Sequence, residues 1–196
     1  MQFNSSEIDR LIRSRRSIMP AHYTGAPVAD AVIRTILSSA TQAPSHKRTE
    51  PWRFIVFTGD GLKRLADMQS NCYRQVTERN GTFKEERFHG LQTKPLQSAC
   101  IIAVGMKRDE KGSVPEIEEI GAVFCAVENM YLAAAAHGIG CYLSTGGITY
   151  FEEAKALFGL GPADRLIGFF HLGIPTEWPE GRGRKPLEEV TKWITE

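Results

Sequence analysis

The sequence predicts an α+β fold in three layers, a mixed but mostly antiparallel sheet flanked by helices. Three observations carry this expectation. The run Cys100-Ile101-Ile102-Ala103-Val104-Gly105 is continuously apolar, as suits a central strand buried on both faces. Residues 121–136 are apolar on nearly every side, which predicts a helix of roughly 24 Å enclosed by protein all round. The order of elements is neither a strict strand-helix alternation nor all strand. At 196 residues the chain suits one domain, spanning 1–196, with a core large enough to sustain it.

The elements follow in order. Ile8, Leu11 and Ile12 fall on one helical face between Ser6 and Arg13, with Ser5 or Ser6 as the N-cap. A second amphipathic helix runs from about Val28 to Thr41, opened by Pro27 and closed before Pro44, and 44–51 form a loop. Arg53 to Phe57 reads as a strand, and the Gly59-Asp60-Gly61 turn opens a helix over Leu62 to Met68. Residues 70–91 are polar with scattered aromatics and read either as a helical excursion or as a lid. His137-Gly138-Ile139-Gly140 stops the apolar helix, glycine being favoured where the chain turns left-handed. A short strand from Cys141 to Leu143, ending in Ser144-Thr145-Gly146-Gly147, a helix from Phe151 to Phe158 and a strand from Leu166 to Leu172 complete the set. The remainder, 174–196, is a Pro/Gly/Arg-rich tail.

Composition narrows the function. The hydrophobic fraction is 42%, the charged fraction 24% and the net charge +1, so no broad field attracts nucleic acid or anionic lipid and any basic site is local. The first residues carry no apolar signal-peptide core, and no stretch approaches the roughly 18 apolar residues of a membrane span, which together point to a cytoplasmic protein. Cys72, Cys100, Cys125 and Cys141 form no C-x-x-C pair and read as reduced and structural. The histidines lack metal-ligand spacing, so no metal is expected.

The polar motifs carry the chemistry. Arg15-Arg16-Ser17 offers two adjacent guanidiniums and a hydroxyl, and Arg182-Gly183-Arg184 offers two more guanidiniums near the other end of the chain. Together they read as a site for a dianionic phosphate, although Arg15-Arg16 taken alone also reads as a solvated helix end that complements the macrodipole. His46 reads as a ligand residue or as a partner of the local backbone, and Trp52 as a core anchor. His137-Gly138-Ile139-Gly140 is no dinucleotide fingerprint, because its third glycine is absent and a helix precedes it.

Arg15-Arg16-Ser17, the segment from Ala43-Pro44-Ser45-His46 to Glu50-Pro51-Trp52, the His-Gly-Ile-Gly stop and Gly173-Ile174-Pro175 resemble, in order and spacing, the FMN-dependent nitroreductase family. The resemblance spans about Ile8 to Val190, and Pro-Ser-His-Lys is closest to the compact nitroreductase-like branch. It implies a homodimer with tightly bound FMN at the subunit interface. By the same resemblance, Arg15, Arg16 and Ser17 grip the phosphate and ribityl chain; Gln42, Pro44, Ser45, His46 and Arg48 reach the flavin of the partner; Leu143, Ser144, Thr145 and Gly146 lie beside the ring; and Arg182 and Arg184 close on the phosphate. Many relatives carry Asn and Gln where this chain has Arg48 and Glu50, so contacts to the pyrimidine edge do not transfer directly. The implied activity is hydride transfer from NADH or NADPH through FMN to a small planar acceptor such as a nitroaromatic, quinone or enone, in ping-pong order. FMN carries that chemistry, so no catalytic side chain is required. Backbone N–H groups near Thr145-Gly146 would favour the reduced ring, Gly146-Gly147 would allow close approach, and Tyr73 or Phe88 would cover the reacting face. The rivals are a flavin oxidase or dehalogenase-like relative that needs no nicotinamide, and a non-catalytic flavin-binding module.

Overall fold

A computed structural model describes residues 3–196. Its sheet has four strands, β1 (Trp52–Thr58), β2 (Cys100–Met106), β3 (Gly140–Ser144) and β4 (Arg165–Gly173). They lie in the order β1-β2-β4-β3 with every pairing antiparallel. An isolated parallel bridge joins Ser17 to Cys141, which brings the first polar motif against the edge strand.

Among the described residues six α-helices flank the sheet: α1 (Ser5–Ser14), α2 (Asp30–Ala40), α3 (Asp60–Arg79), α4 (Glu85–Thr93), α5 (Glu116–Ala136) and α6 (Glu152–Leu157). Strand β2 shows why three layers form. Cys100, Ile102, Val104 and Met106 pack into the cluster with α2 and α5, while Ile101 and Ala103 pack into the cluster with α3, α4 and α6. Side chains alternate across a strand, so a strand apolar at every position needs a core on each side. Opposite Val104 and Gly105 the register slips by one, leaving Ile167 as the extra residue of β4.

Several expected boundaries move. The N-cap of α1 is Asn4, whose side chain accepts from the Glu7 N–H, and not Ser5 or Ser6. Helix α2 starts two residues later than predicted: Ala29 is the extended N-cap, and Val28 before it is buried in the core. The helix expected over 62–68 continues to Arg79, and 85–93 is a further helix, so 70–91 is a helical excursion. Tyr73 and Phe88 are buried in its core and therefore cover no ligand face. The strands each gain a residue or two at their ends, and α6 is capped by Phe151 and Phe158 rather than including them.

Helix α5 begins five residues earlier than predicted and is not enclosed all round. Ala122, Val123, Ala126, Val127, Met130 and Ala134 face the core, whereas Ile117, Gly121, Phe124, Cys125 and Glu128 form an exposed strip. By length and composition α5 would pass for a membrane span, contrary to expectation, but its apolar face is the core of the fold. Near its start the buried Glu119 pairs with Arg108 and accepts from the Asp109 N–H at 2.8 Å, which pins the loop before α5. Cys125 alone of the four thiols is exposed; burial pushes Cys100 and Cys141 up to about 12 and keeps them protonated.

Candidate functional site

Helix α1 ends at Ser14, and the chain turns at once into an extended segment that docks on β3: the Ile18 N–H donates to the Cys141 carbonyl at 2.8 Å. That docking aims Arg15, Arg16 and Ser17 into a cleft of about 940 Å³. The tail returns to the same place. The Thr176 N–H donates to the His22 carbonyl at 2.9 Å, Pro175 bridges Tyr23, and Arg182 and Arg184 then line the cleft. The two ends of the sequence therefore meet, as the polar motifs predicted. The volume lies toward the upper end of small-molecule sites, roughly 300–1,000 Å³.

Tyr131 of α5, which sequence reading passed over, organises this cleft from behind. Its hydroxyl accepts from the Leu143 N–H at 2.8 Å, and the Arg15 guanidinium sits over its ring, 5.0 Å from the centroid. Burial pushes the phenol up, and the Ser17 hydroxyl beside it opposes that shift. One buried phenol thus ties the first motif to the end of β3. Arg15 also meets Glu128 at 3.5 Å, which holds its charge at the rim. The only sequence signal for Tyr131 was a hydroxyl-bearing ring in an otherwise apolar helix.

The cleft is not purely basic. Glu177 and Glu180 line it with Arg13 and the four expected arginines, and His22, Met19 and Tyr142 complete its walls. Arg16 is only partly available: its Nη1 donates to the carbonyls of Arg13 at 2.6 Å and Arg15 at 2.8 Å, while its Nε is buried with no partner.

The turn after β3 leads away from this cleft. Tyr142 lines it, whereas Thr145 lines a second, smaller cleft of about 340 Å³ together with Ile120 and Phe124 of α5. Ser144 bonds His171 Nε2 at 3.1 Å, and Ser98 bonds the other ring nitrogen at 2.9 Å. Gly147 has φ +67° and an added Cβ there would meet Leu91 at 3.0 Å, whereas Gly146 is open, with nothing within 4 Å of an added Cβ.

Gln42, Pro44, Ser45, His46 and Arg48 lie elsewhere. His46 pairs with Glu118 rather than with local backbone, and Lys47 donates to the Ser113 carbonyl at 2.8 Å, which fastens the loop to the start of α5. Lys47, Arg48 and Glu50 hold positive φ, at 53°, 55° and 43°, which bends the loop sharply around Ser45, whose hydroxyl accepts from the Glu50 N–H. Glu118 and Glu128 are ten residues apart on α5, about 15 Å of helix, so within one chain this loop and the cleft stand apart. Trp52 is a buried core residue, as expected.

The sequence pattern of the nitroreductase family matches residues 12–174. YfhC of Bacillus subtilis strain 168, whose name ascribes to it a presumed NAD(P)H nitroreductase activity, is 30% identical over 91% of this chain and 90% of its own length. A nitroreductase-like family protein from Bacillus cereus superposes with a TM-score of 0.81 at 29% identity, over 99% of this chain and 98% of its own. A protein from Desulfovibrio desulfuricans, crystallised in complex with FMN, superposes with a TM-score of 0.73 at 26% identity, over 99% of both chains.

Proposed function

The chain belongs to the nitroreductase family, and from that premise we propose that it is an FMN-dependent oxidoreductase drawing its electrons from NADH or NADPH. The observation that carries this is the cleft in which residues 15–17 meet Arg182 and Arg184. Its donor set fits a phosphate dianion: several guanidiniums, the Ser17 hydroxyl and an unpartnered buried Nε on Arg16. FMN, when bound, supplies the two-electron chemistry.

Each group of residues then has a role. Arg15, Arg16, Ser17, Arg182 and Arg184 hold the phosphate end. Leu143, Ser144, Thr145 and Gly146, which follow the cleft-lining Tyr142 along the chain, are assigned to the ring, where backbone N–H groups favour the electron-rich state. Gln42, Pro44, Ser45, His46 and Arg48 do not line their own chain's cleft, and His46 pairs with Glu118, about 15 Å of helix from the Glu128 that meets Arg15, so we assign them to the cleft of a second copy. The exposed strip of α5, with Ile117 at 72% and Phe124 at 46% exposure, is the face we assign to that homodimer. The acceptor is a small planar molecule, a nitroaromatic, quinone or enone, that follows the nicotinamide into the same space in ping-pong order. We place the protein in the cytoplasm and treat it as one domain.

The test is direct. Purified protein is expected to be yellow, to release FMN and not FAD on denaturation, and to be bleached anaerobically by NADH or NADPH, with parallel-line kinetics toward an acceptor. Negligible reduction by both nicotinamides would instead indicate an oxidase or dehalogenase-like activity, and a colourless protein that takes up no FMN would refute the proposal.

A further inference from the structure

We propose that Trp178 and Gly181, neither of which lines the cleft, form with Arg16 a latch that positions the phosphate-binding arginines of the tail. The inference rests on the assignment of the cleft to FMN made above.

A phosphate held beside the end of α1 faces an electrostatic difficulty. Helix C-termini expose carbonyl oxygens and carry the negative end of the macrodipole, so an anion there is repelled unless those oxygens are engaged. In this chain they are engaged by side chains from both ends of the sequence. Arg16 Nη1 donates to the carbonyls of Arg13 and Arg15, at 2.6 and 2.8 Å. The Trp178 indole N–H donates to the carbonyl of Ser14, the last residue of α1, at 2.8 Å. Indole is a donor only, so this bond needs no change of protonation.

Gly181 completes the latch. A Cβ built there would lie 2.9 Å from Arg16 Cζ and closer still to Nη2. A side chain at 181 therefore requires the end of the Arg16 side chain to shift, and with it the two bonds that Arg16 Nη1 makes to the carbonyls of Arg13 and Arg15. Gly181 does not hold a positive φ, so its lack of a side chain, and not its backbone freedom, is what the site uses. With Trp178 on one side and Gly181 packed on Arg16, the next residues, Arg182 to Arg184, are delivered into the cleft. Trp178 and Gly181 are thus positioning residues.

The experiment compares FMN with riboflavin, which lacks only the phosphate, on apoprotein prepared from the wild type and from Trp178→Phe and Gly181→Ala. The latch predicts that each variant weakens FMN binding about five- to tenfold while riboflavin affinity and the thermal unfolding midpoint stay at their wild-type values. Equal weakening of both flavins would assign Trp178 and Gly181 a general structural role and overturn the latch, as would unchanged FMN affinity in both variants. A wild type that binds riboflavin as tightly as FMN would instead overturn the assignment of the cleft to the phosphate, a failure distinct from failure of the latch.

Discussion

At the scale of single residues, His171 shows what burial does to a titratable group. It is 7% exposed, its two ring nitrogens meet the hydroxyls of Ser98 and Ser144, and burial pushes its pKa down to about 4. Between about pH 6.5 and pH 4 the unfolded chain binds a proton there that the folded chain refuses, so stability falls as pH drops across that window, by on the order of 3 kcal/mol. Above the window the neutral ring costs nothing. Urea unfolding of the wild type and of His171→Gln, at about pH 7 and about pH 4.5, is expected to show the smaller pH-dependent loss in the variant. The same loss in both would mean that other groups carry the acid sensitivity. Individual residues were legible in the sequence where charge singled them out: Arg15, Arg16, Arg182 and Arg184 were grouped because guanidiniums need a partner, and they line one cleft. Tyr131 and Trp178 were missed because their role lies in one hydroxyl and one N–H, and only the folded chain shows which carbonyl or amide these meet.

At the scale of elements, what repeats was legible and what is set by neighbours was not. Strand β2 was found because seven consecutive buried residues leave an unbroken apolar run. The end of α5 was found because Gly138 takes φ +68°, where a side chain is disfavoured. The length of α3 was missed because its outer face is polar and its buried positions include Gln69, Ser70 and Thr77, so the apolar pattern fades while the helix continues. Helix α5 was expected to be covered partly by the core and partly by a second copy; within one chain Phe124 and Ile117 are exposed, because apolar residues look alike in the sequence whichever of the two covers them. The proposed dimer makes the second case testable. Phe124→Arg places a charge in the strip without touching the core, and is expected to shift the sedimentation coefficient to that of a monomer and to lower FMN retention. A monomeric variant that keeps stoichiometric FMN would contradict a site shared between subunits.

At the scale of the whole molecule, the organisation is a convergence of chain ends. The sheet supports β3 at its edge, β3 receives the segment after α1 through the Ser17 bridge, and the tail after β4 crosses back through Tyr23 and Trp178 to the same cleft. That much of the site was foreshadowed by motifs lying more than 160 residues apart, since both were rich in the same uncommon donors. The separation of the 42–48 loop from the cleft was not, because distance along α5 is a property of the fold. Soaking crystals with FMN measures the central claim most directly. The account predicts density for the phosphate within hydrogen-bonding distance of the Ser17 hydroxyl and of a guanidinium from 182 or 184. A phosphate bound elsewhere, with that cleft filled only by solvent, would contradict it.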